Sequence, residues 1–171
     1  MTGVLVVLSG PPGAGKSAVA DALGRRLGAP VLSVDPIEAA LLRSGIPASF
    51  ETGVAAYEVA ASLAERQLRL GLTVIVDAVN SLEVARDMWR HAAVRASAPM
   101  RVIEVVCSDV ETHRARLAGR TRDIHGFPEP TWDEVSNRRD EWEEWNQERL
   151  VLDSVEPLDL NLDRALIHLR A

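Results

Sequence analysis

VLVVLSGPPGAGKS, residues 4–17, decides how the rest of this chain reads. Val4 to Leu8 is a short, continuous apolar run, the pattern of a strand buried on both faces. Gly10-x4-Gly15-Lys16-Ser17 has the spacing of the phosphate-binding P-loop. From Ser17 to Leu27 the chain reads as helix: Ala18, Ala22 and Leu23 recur at helical spacing, and Gly28 follows as a stop signal. Strand, glycine-rich loop and helix thus come in the order that a phosphate cradle requires. Such a loop wraps backbone N–H groups around phosphate oxygens, and the helix N-terminus adds its dipole. Lys16 is placed to reach the β- and γ-phosphates, and the Ser17 hydroxyl to ligate Mg²⁺. Among 19 lysines and arginines Lys16 is the only lysine. A compact point charge on a flexible stem suits this position better than a planar guanidinium.

Outward from the loop, strands and helices alternate. Pro30 to Val34 reads as a second strand. Asp35-Pro36-Ile37-Glu38 then opens a helix, with Asp35 as N-cap and Pro36 at its first position. Thr52 to Leu70 carries a long helical pattern closed by Gly71. Thr73 to Val76 is a third strand ending at Asp77, and Leu82 to Ala96 a helix. Arg101 to Val106 is a fourth strand, and Ser108 with Glu111 forms a capping box for the helix ending near Gly119. Thr131 with Glu134 forms another, opening a helix to about Gln147. It carries Trp132, Val135, Trp142 and Trp145 at core spacing. Leu150 to Leu152 is a short fifth strand, and Leu160 to Leu169 a terminal helix. This alternation implies an α/β fold, a parallel sheet with helices on both faces. Ligands bind beyond the strand C-termini of such sheets. The P-loop, Asp35, Asp77 and Cys107 all follow strands, so they are expected to cluster at that edge.

Bulk properties narrow the function. The 171 residues fit one domain with a real core. A formal net charge of −6 argues against a general nucleic-acid or membrane-surface binder. One cysteine, Cys107, excludes an intrachain disulfide and fits a reducing cytosol. No secretion signal or long apolar span is read, so a cytoplasmic location is expected. His91, His113, His125 and His168 have no metal-ligand spacing.

The order of these motifs resembles the small P-loop kinases, a group that includes gluconate kinase, shikimate kinase, chloramphenicol phosphotransferase, zeta-type toxins and polynucleotide 5′-kinase. The chain is most similar to the AAA_33-type ATP-binding proteins in that set. The matching pieces are VLVVLSGPPGAGKS at 4–17, VLSVDPIEAAL at 31–41, VIVDAV at 74–79, the arginine segment at 114–122 and RLVLDS at 149–154. The resemblance spans nearly the whole chain. It implies a three-layer P-loop NTPase fold, sheet order 2-3-1-4-5, ATP with Mg²⁺, and a mobile arginine-bearing lid around 114–130.

The resemblance also implies roles. Gly10, Pro11, Pro12, Gly13, Ala14, Gly15, Lys16, Ser17 and Ala18 form the nucleotide cradle. Asp35 matches a carboxylate that acts as base or orienting group for an acceptor hydroxyl, a role that phosphoryl transfer to an alcohol calls for. The same residue reads equally as a helix cap. Asp77 matches a Walker-B-type carboxylate that holds Mg²⁺ with Ser17. Arg120 best matches the arginine that packs on adenine or reaches the transferred phosphate. Arg116 lies one turn earlier on the same face, and Arg114 and Arg122 flank the pair.

The reading is an ATP-dependent phosphotransferase acting on the hydroxyl of a small-molecule acceptor. Its pocket is expected between the Pro36–Leu70 helices and the sheet edge. The alternatives are a nucleotide switch or assembly ATPase, a polynucleotide 5′-kinase, and a zeta-like sugar-nucleotide kinase. Asp77-Ala78-Val79-Asn80 lacks the glycine of a GTPase DxxG turn. Ala78 also stands where a motor ATPase carries a water-polarising glutamate.

Overall fold

Five parallel strands carry the chain: β1 (Leu5–Ser9), β2 (Val31–Ser33), β3 (Val74–Asp77), β4 (Met100–Val106) and β5 (Leu150–Asp153). Their order in the sheet is β2-β3-β1-β4-β5, the order that the resemblance implied. The computed structural model describes residues 3–120, 124, 129–137 and 142–170. The described helices are α1 (Lys16–Leu27), α2 (Val34–Arg43), α3 (Phe50–Arg69), α4 (Glu83–Arg95), α5 (Val110–Ala118), α6 (Trp132–Asn137) and α7 (Leu158–His168).

Strand alternation divides the core into two layers. Leu5, Val7, Val74, Val76 and Val102 point to one face, where they pack with Ala56, Ala60 and Ala64 of α3 and Trp89 of α4. Val6, Leu8, Ile75, Ile103 and Val105 point to the other, against Val19, Ala20 and Leu23 of α1 and Ala165 of α7. Small alanines on α3 and α1 let those helices approach the sheet closely, which is how a sheet buried on both faces reaches native packing density. Among the described residues no helix is long and apolar enough to cross a membrane.

Parallel register brings the strand ends level. Ser33 pairs with Asp77, Leu8 with Asp77, Ser9 with Glu104, and Val106 with Asp153. All the loops that follow therefore leave from one edge.

Three local expectations are corrected. First, Asp35 is not an N-cap. α2 begins at Val34 directly after the three-residue β2, Ser33 is the N-cap, and no side chain caps the helix. The Ser33 hydroxyl donates instead to Asp77 Oδ2 at 3.3 Å. Pro36 falls in the first turn, where its missing N–H costs nothing. Second, Asp109, not Ser108, caps α5, accepting from Thr112 N at 2.6 Å. The Ser108 N–H is taken by the Asp153 carboxylate across the sheet edge. Third, α6 is described over Trp132–Asn137, and residues 142–149 are not helical. Trp142 and Trp145 are therefore not on α6. The Thr131–Glu134 capping box does form: Thr131 N donates to Glu134 Oε2 at 2.7 Å, and Glu134 N to Thr131 Oγ1 at 3.3 Å.

The 142–149 segment leaves the helical path because a fully buried arginine claims its carbonyls. Arg86 on α4 is 0% exposed. It donates to Glu143 O at 2.6 Å and Glu144 O at 2.8 Å, and to Asn80 O and Ser81 O on the β3–α4 loop. Its guanidinium lies 4.1 Å over the Trp145 ring. Burial pushes the guanidinium below its ordinary pKa, opposed by the charge of Glu83. It remains a cation, because arginine holds its proton far above neutrality.

Candidate active site

The loop between β1 and α1 is shaped by its glycines. Gly10, Gly13 and Gly15 have φ of 143°, 80° and 100°, a region closed to most side chains. A Cβ on Gly10 would lie 2.1 Å from Val105 O, so only glycine lets the loop cross β4 there. Pro11 O then accepts from Ala14 N at 3.2 Å and from Lys16 Nζ at 3.0 Å. Lys16 is only 7% exposed, and its ammonium is folded against the loop it serves. From below, His113 of α5 donates Nε2–H to Pro12 O at 2.8 Å, and Trp132 meets its ring edge-on.

Asp77, at the end of β3, joins three elements. Its Oδ2 accepts from Ser17 Oγ at 2.7 Å and from Ser33 Oγ at 3.3 Å, and the residue is 6% exposed. A serine hydroxyl held against a carboxylate at the mouth of a P-loop is a hard-oxygen pair of the kind Mg²⁺ takes, with water and substrate phosphates completing the shell. Among the described residues no group of three or more histidine, cysteine or carboxylate side chains could hold a metal. The donor set thus fits a cation shared with phosphate rather than a caged one.

Lys16, Ser17, Asp35, Asp77 and Arg120 line one cavity of about 420 Å³. Asp35 thus shares the phosphate cavity. Arg116 and Arg120 border a second, smaller cavity with Gly13, Gly15, Ser17 and Ala18, on the helix side of the loop. Arg116 is tied to the β5–α7 loop, donating to Ser154 Oγ at 2.7 Å and Ser154 O at 3.1 Å. Arg120 pairs with Glu129 at 3.6 Å. Arg114 is an exposed residue that lines none of these cavities. Arg122 lies outside the described residues, as do 121–123 and 125–128 of the expected lid.

Several residues around the site gave no sequence signal as such. Ser33 joins the Asp77 network. Glu38, one turn after Asp35, has its carboxyl raised by partial burial and then by the Asp35 charge. Tyr57 of α3 is pushed up to about 12, chiefly by burial. It accepts from Asn80 N at 3.2 Å. Asn80 itself is fully buried with φ 56°, a left-handed position that asparagine tolerates. It donates to Leu8 O at 2.8 Å and accepts from Trp89 Nε1 at 2.7 Å, which locks the β3–α4 loop against β1. Its αL tendency was the one legible hint.

Beyond the other flank of the loop is an apolar cavity of about 320 Å³, lined by Pro12, Val79, Val106, Cys107, Val135 and Trp142 among others. A fourth cavity, of about 180 Å³, lies between α3 and α4 around Val54, Tyr57 and Met88.

Comparison with known proteins agrees with this fold. The AAA domain model AAA_33 matches residues 5–149. Among solved structures, a putative kinase from Chloroflexus aurantiacus J-10-fl superposes with a TM-score of 0.79 at 17% identity, covering 98% of this chain and 99% of that one. The Mycobacterium tuberculosis APS kinase in complex with AMPPNP and APS gives 0.74 at 19% identity, covering 99% of both chains. A sugar kinase from Janibacter sp. HTCC2649, unliganded, gives 0.72 at 20% identity, covering 99% and 95%. A search of the curated proteins found no significant sequence match. The fold is thus one that P-loop kinases share.

Proposed function

This chain belongs to the AAA domain family AAA_33, and we propose that it is a phosphotransferase moving the γ-phosphate of ATP to the hydroxyl of a small-molecule acceptor. One observation carries the reading. Lys16, the Ser17–Asp77 pair and the carboxylate-bearing Asp35 line the same cavity. A switch needs the first three. A transferase to an alcohol needs the fourth as well.

The roles follow from position. The loop amides and Lys16 bind the phosphates, for which Lys16 trades its bond to Pro11 O. Ser17 and Asp77 would hold Mg²⁺, which when bound neutralises charge on the phosphates. Asp35 orients the acceptor hydroxyl and takes its proton as the oxygen attacks. Arg120, at the junction of both phosphate-side cavities, meets charge that develops on the transferred group. Arg116, held to Ser154, frames the nucleotide side.

The test is turnover with ATP and Mg²⁺ across hydroxylated metabolites, nucleosides and sugar nucleotides, with product identified by mass. A phosphorylated acceptor is expected, and Lys16→Ala removes it. ATP turnover that yields only free phosphate across the panel, and rises on adding a protein partner, would replace the transferase with the switch reading. Arg120→Ala should lower kcat more than it raises the KM for ATP. A larger kcat loss in Arg116→Ala would move the role to that residue.

A further inference from the structure

We infer that the acceptor is an alcohol with an apolar, non-anionic body, seated in the cavity between β4, α6 and Trp142. This rests on the transferase reading above and names its substrate class. The cavity adjoins the phosphate cavity, since Pro12 and Val79 line both. Its volume of about 320 Å³ is in the range of small-molecule sites. Most of the surface is Pro, Val, Cys and Trp.

Its polar groups are largely spent. Glu104 accepts from Arg149. Glu134 accepts from Thr131 in the α6 capping box. His113 has given Nε2–H to Pro12 O. Among the described residues no lysine or arginine lines the cavity. A carboxylate or phosphate entering it would lose water and face two carboxylates, a cost an apolar body does not bear. The Trp142 indole N–H is buried and meets no acceptor among the described residues. An ether, carbonyl or second hydroxyl oxygen on the substrate would satisfy it.

The step balances with ATP as donor. The acceptor oxygen forms a bond to the γ-phosphorus as the bridging β–γ P–O bond breaks. The hydroxyl proton passes to the Asp35 carboxylate, and the electron pair leaves with ADP.

The probes are benzyl alcohol, 2-phenylethanol and 3-phenyl-1-propanol, with benzoate, phenylacetate and 3-phenylpropanoate as matched anions. Binding is read by ligand-observed NMR with ADP and Mg²⁺ present. Affinity should rise about fourfold per methylene along the alcohols. The anions should bind at least about tenfold more weakly. Val135→Glu should remove alcohol binding while fluorescent-ADP affinity, the check on folding, holds. Trp142→Ala should shift preference to longer alcohols. Absence of alcohol binding, equal binding of the anions, or binding that survives Val135→Glu overturns the assignment. Transfer from ATP to polyols or sugar acids, with no alcohol bound, would overturn it and leave the transferase standing. Alcohols that bind but are never phosphorylated, in a protein that phosphorylates nothing else, would overturn both.

Discussion

The two sides of the P-loop are built by different means. On the phosphate side the groups sit on strand ends or the first turns after them: Asp77 on β3, Ser33 on β2, Asp35 in α2, Lys16 and Ser17 in α1. Parallel pairing sets their levels, and side-chain bonds such as Ser17–Asp77 at 2.7 Å close the set. On the apolar side β4 supplies one wall, but the others come from α6 and residue 142, which are held by contacts beyond the sheet. Arg86 holds the last of these, through carbonyls on both the β3–α4 loop and the 143–144 backbone. The sheet therefore sets the phosphate side, while peripheral segments shape most of the apolar side. The second side can change while the first stays fixed.

The largest effects should fall on the phosphate side. Lys16→Ala is expected to lower phosphoryl transfer by on the order of 10³-fold or more, the scale of losing a preorganised charge at the reacting group. Lys16→Arg should also fail, because a planar head does not fit the cradle. Circular dichroism should stay native for both. An active Lys16→Arg enzyme would show that charge alone suffices. Asp35→Asn comes next, with turnover reduced about 10²–10⁴-fold and nucleotide affinity barely changed. Ser33 is the N-cap, so this variant tests chemistry without disturbing a cap. Full activity in Asp35→Asn would remove the base from the mechanism and leave the two sides chemically alike.

An intermediate effect should appear on the apolar side. Arg86→Lys keeps a charge but cannot span four carbonyls on two segments, so some are left buried and unpaired. It should cost about 2–3 kcal/mol in urea unfolding. Affinity for 3-phenyl-1-propanol should fall as the Trp142 wall loosens, while fluorescent-ADP affinity holds at temperatures well below the transition. Equal loss of both ligands would mean that the two sides are one mechanical unit and the contrast drawn above is false.

This contrast also explains what the sequence disclosed. The P-loop was legible because its demands are local: glycines at positive φ, one lysine, one serine, a strand before and a helix after. The sheet order came through family resemblance, which the strand pairing bears out. The cap was misplaced by two residues, at Asp35 rather than Ser33, since nothing in Val34-Asp35-Pro36 reveals that β2 runs into α2 without a loop. Trp142 and Trp145 fit helical spacing, yet the segment is not helical. The deciding interactions link Arg86 to residues 57 and 58 positions away, a separation at which periodicity carries no information. The apolar cavity was invisible for the same reason.

The smallest predicted effect lies at the boundary of the phosphate side, at Glu38. Its carboxyl is raised above the ordinary value, first by partial burial and then by the negative charge of Asp35. A raised folded-state pKa means that the folded protein binds this proton more tightly than the unfolded chain does. That stabilising contribution is full below the unfolded pKa near 4.5 and is lost as pH rises through the higher folded value. Glu38→Gln removes the titration. The melting temperature of the variant, relative to the parent, should therefore be higher at pH 7 than at pH 4. Glu38 is only partly buried, so screening keeps the difference within about 2 °C. Thermal scans at the two pH values, in low salt and again in high salt, measure it. A relative melting temperature that falls from pH 4 to pH 7 would mean that ionised Glu38 is stabilised, and that the Asp35–Glu38 repulsion does not govern this edge of the site.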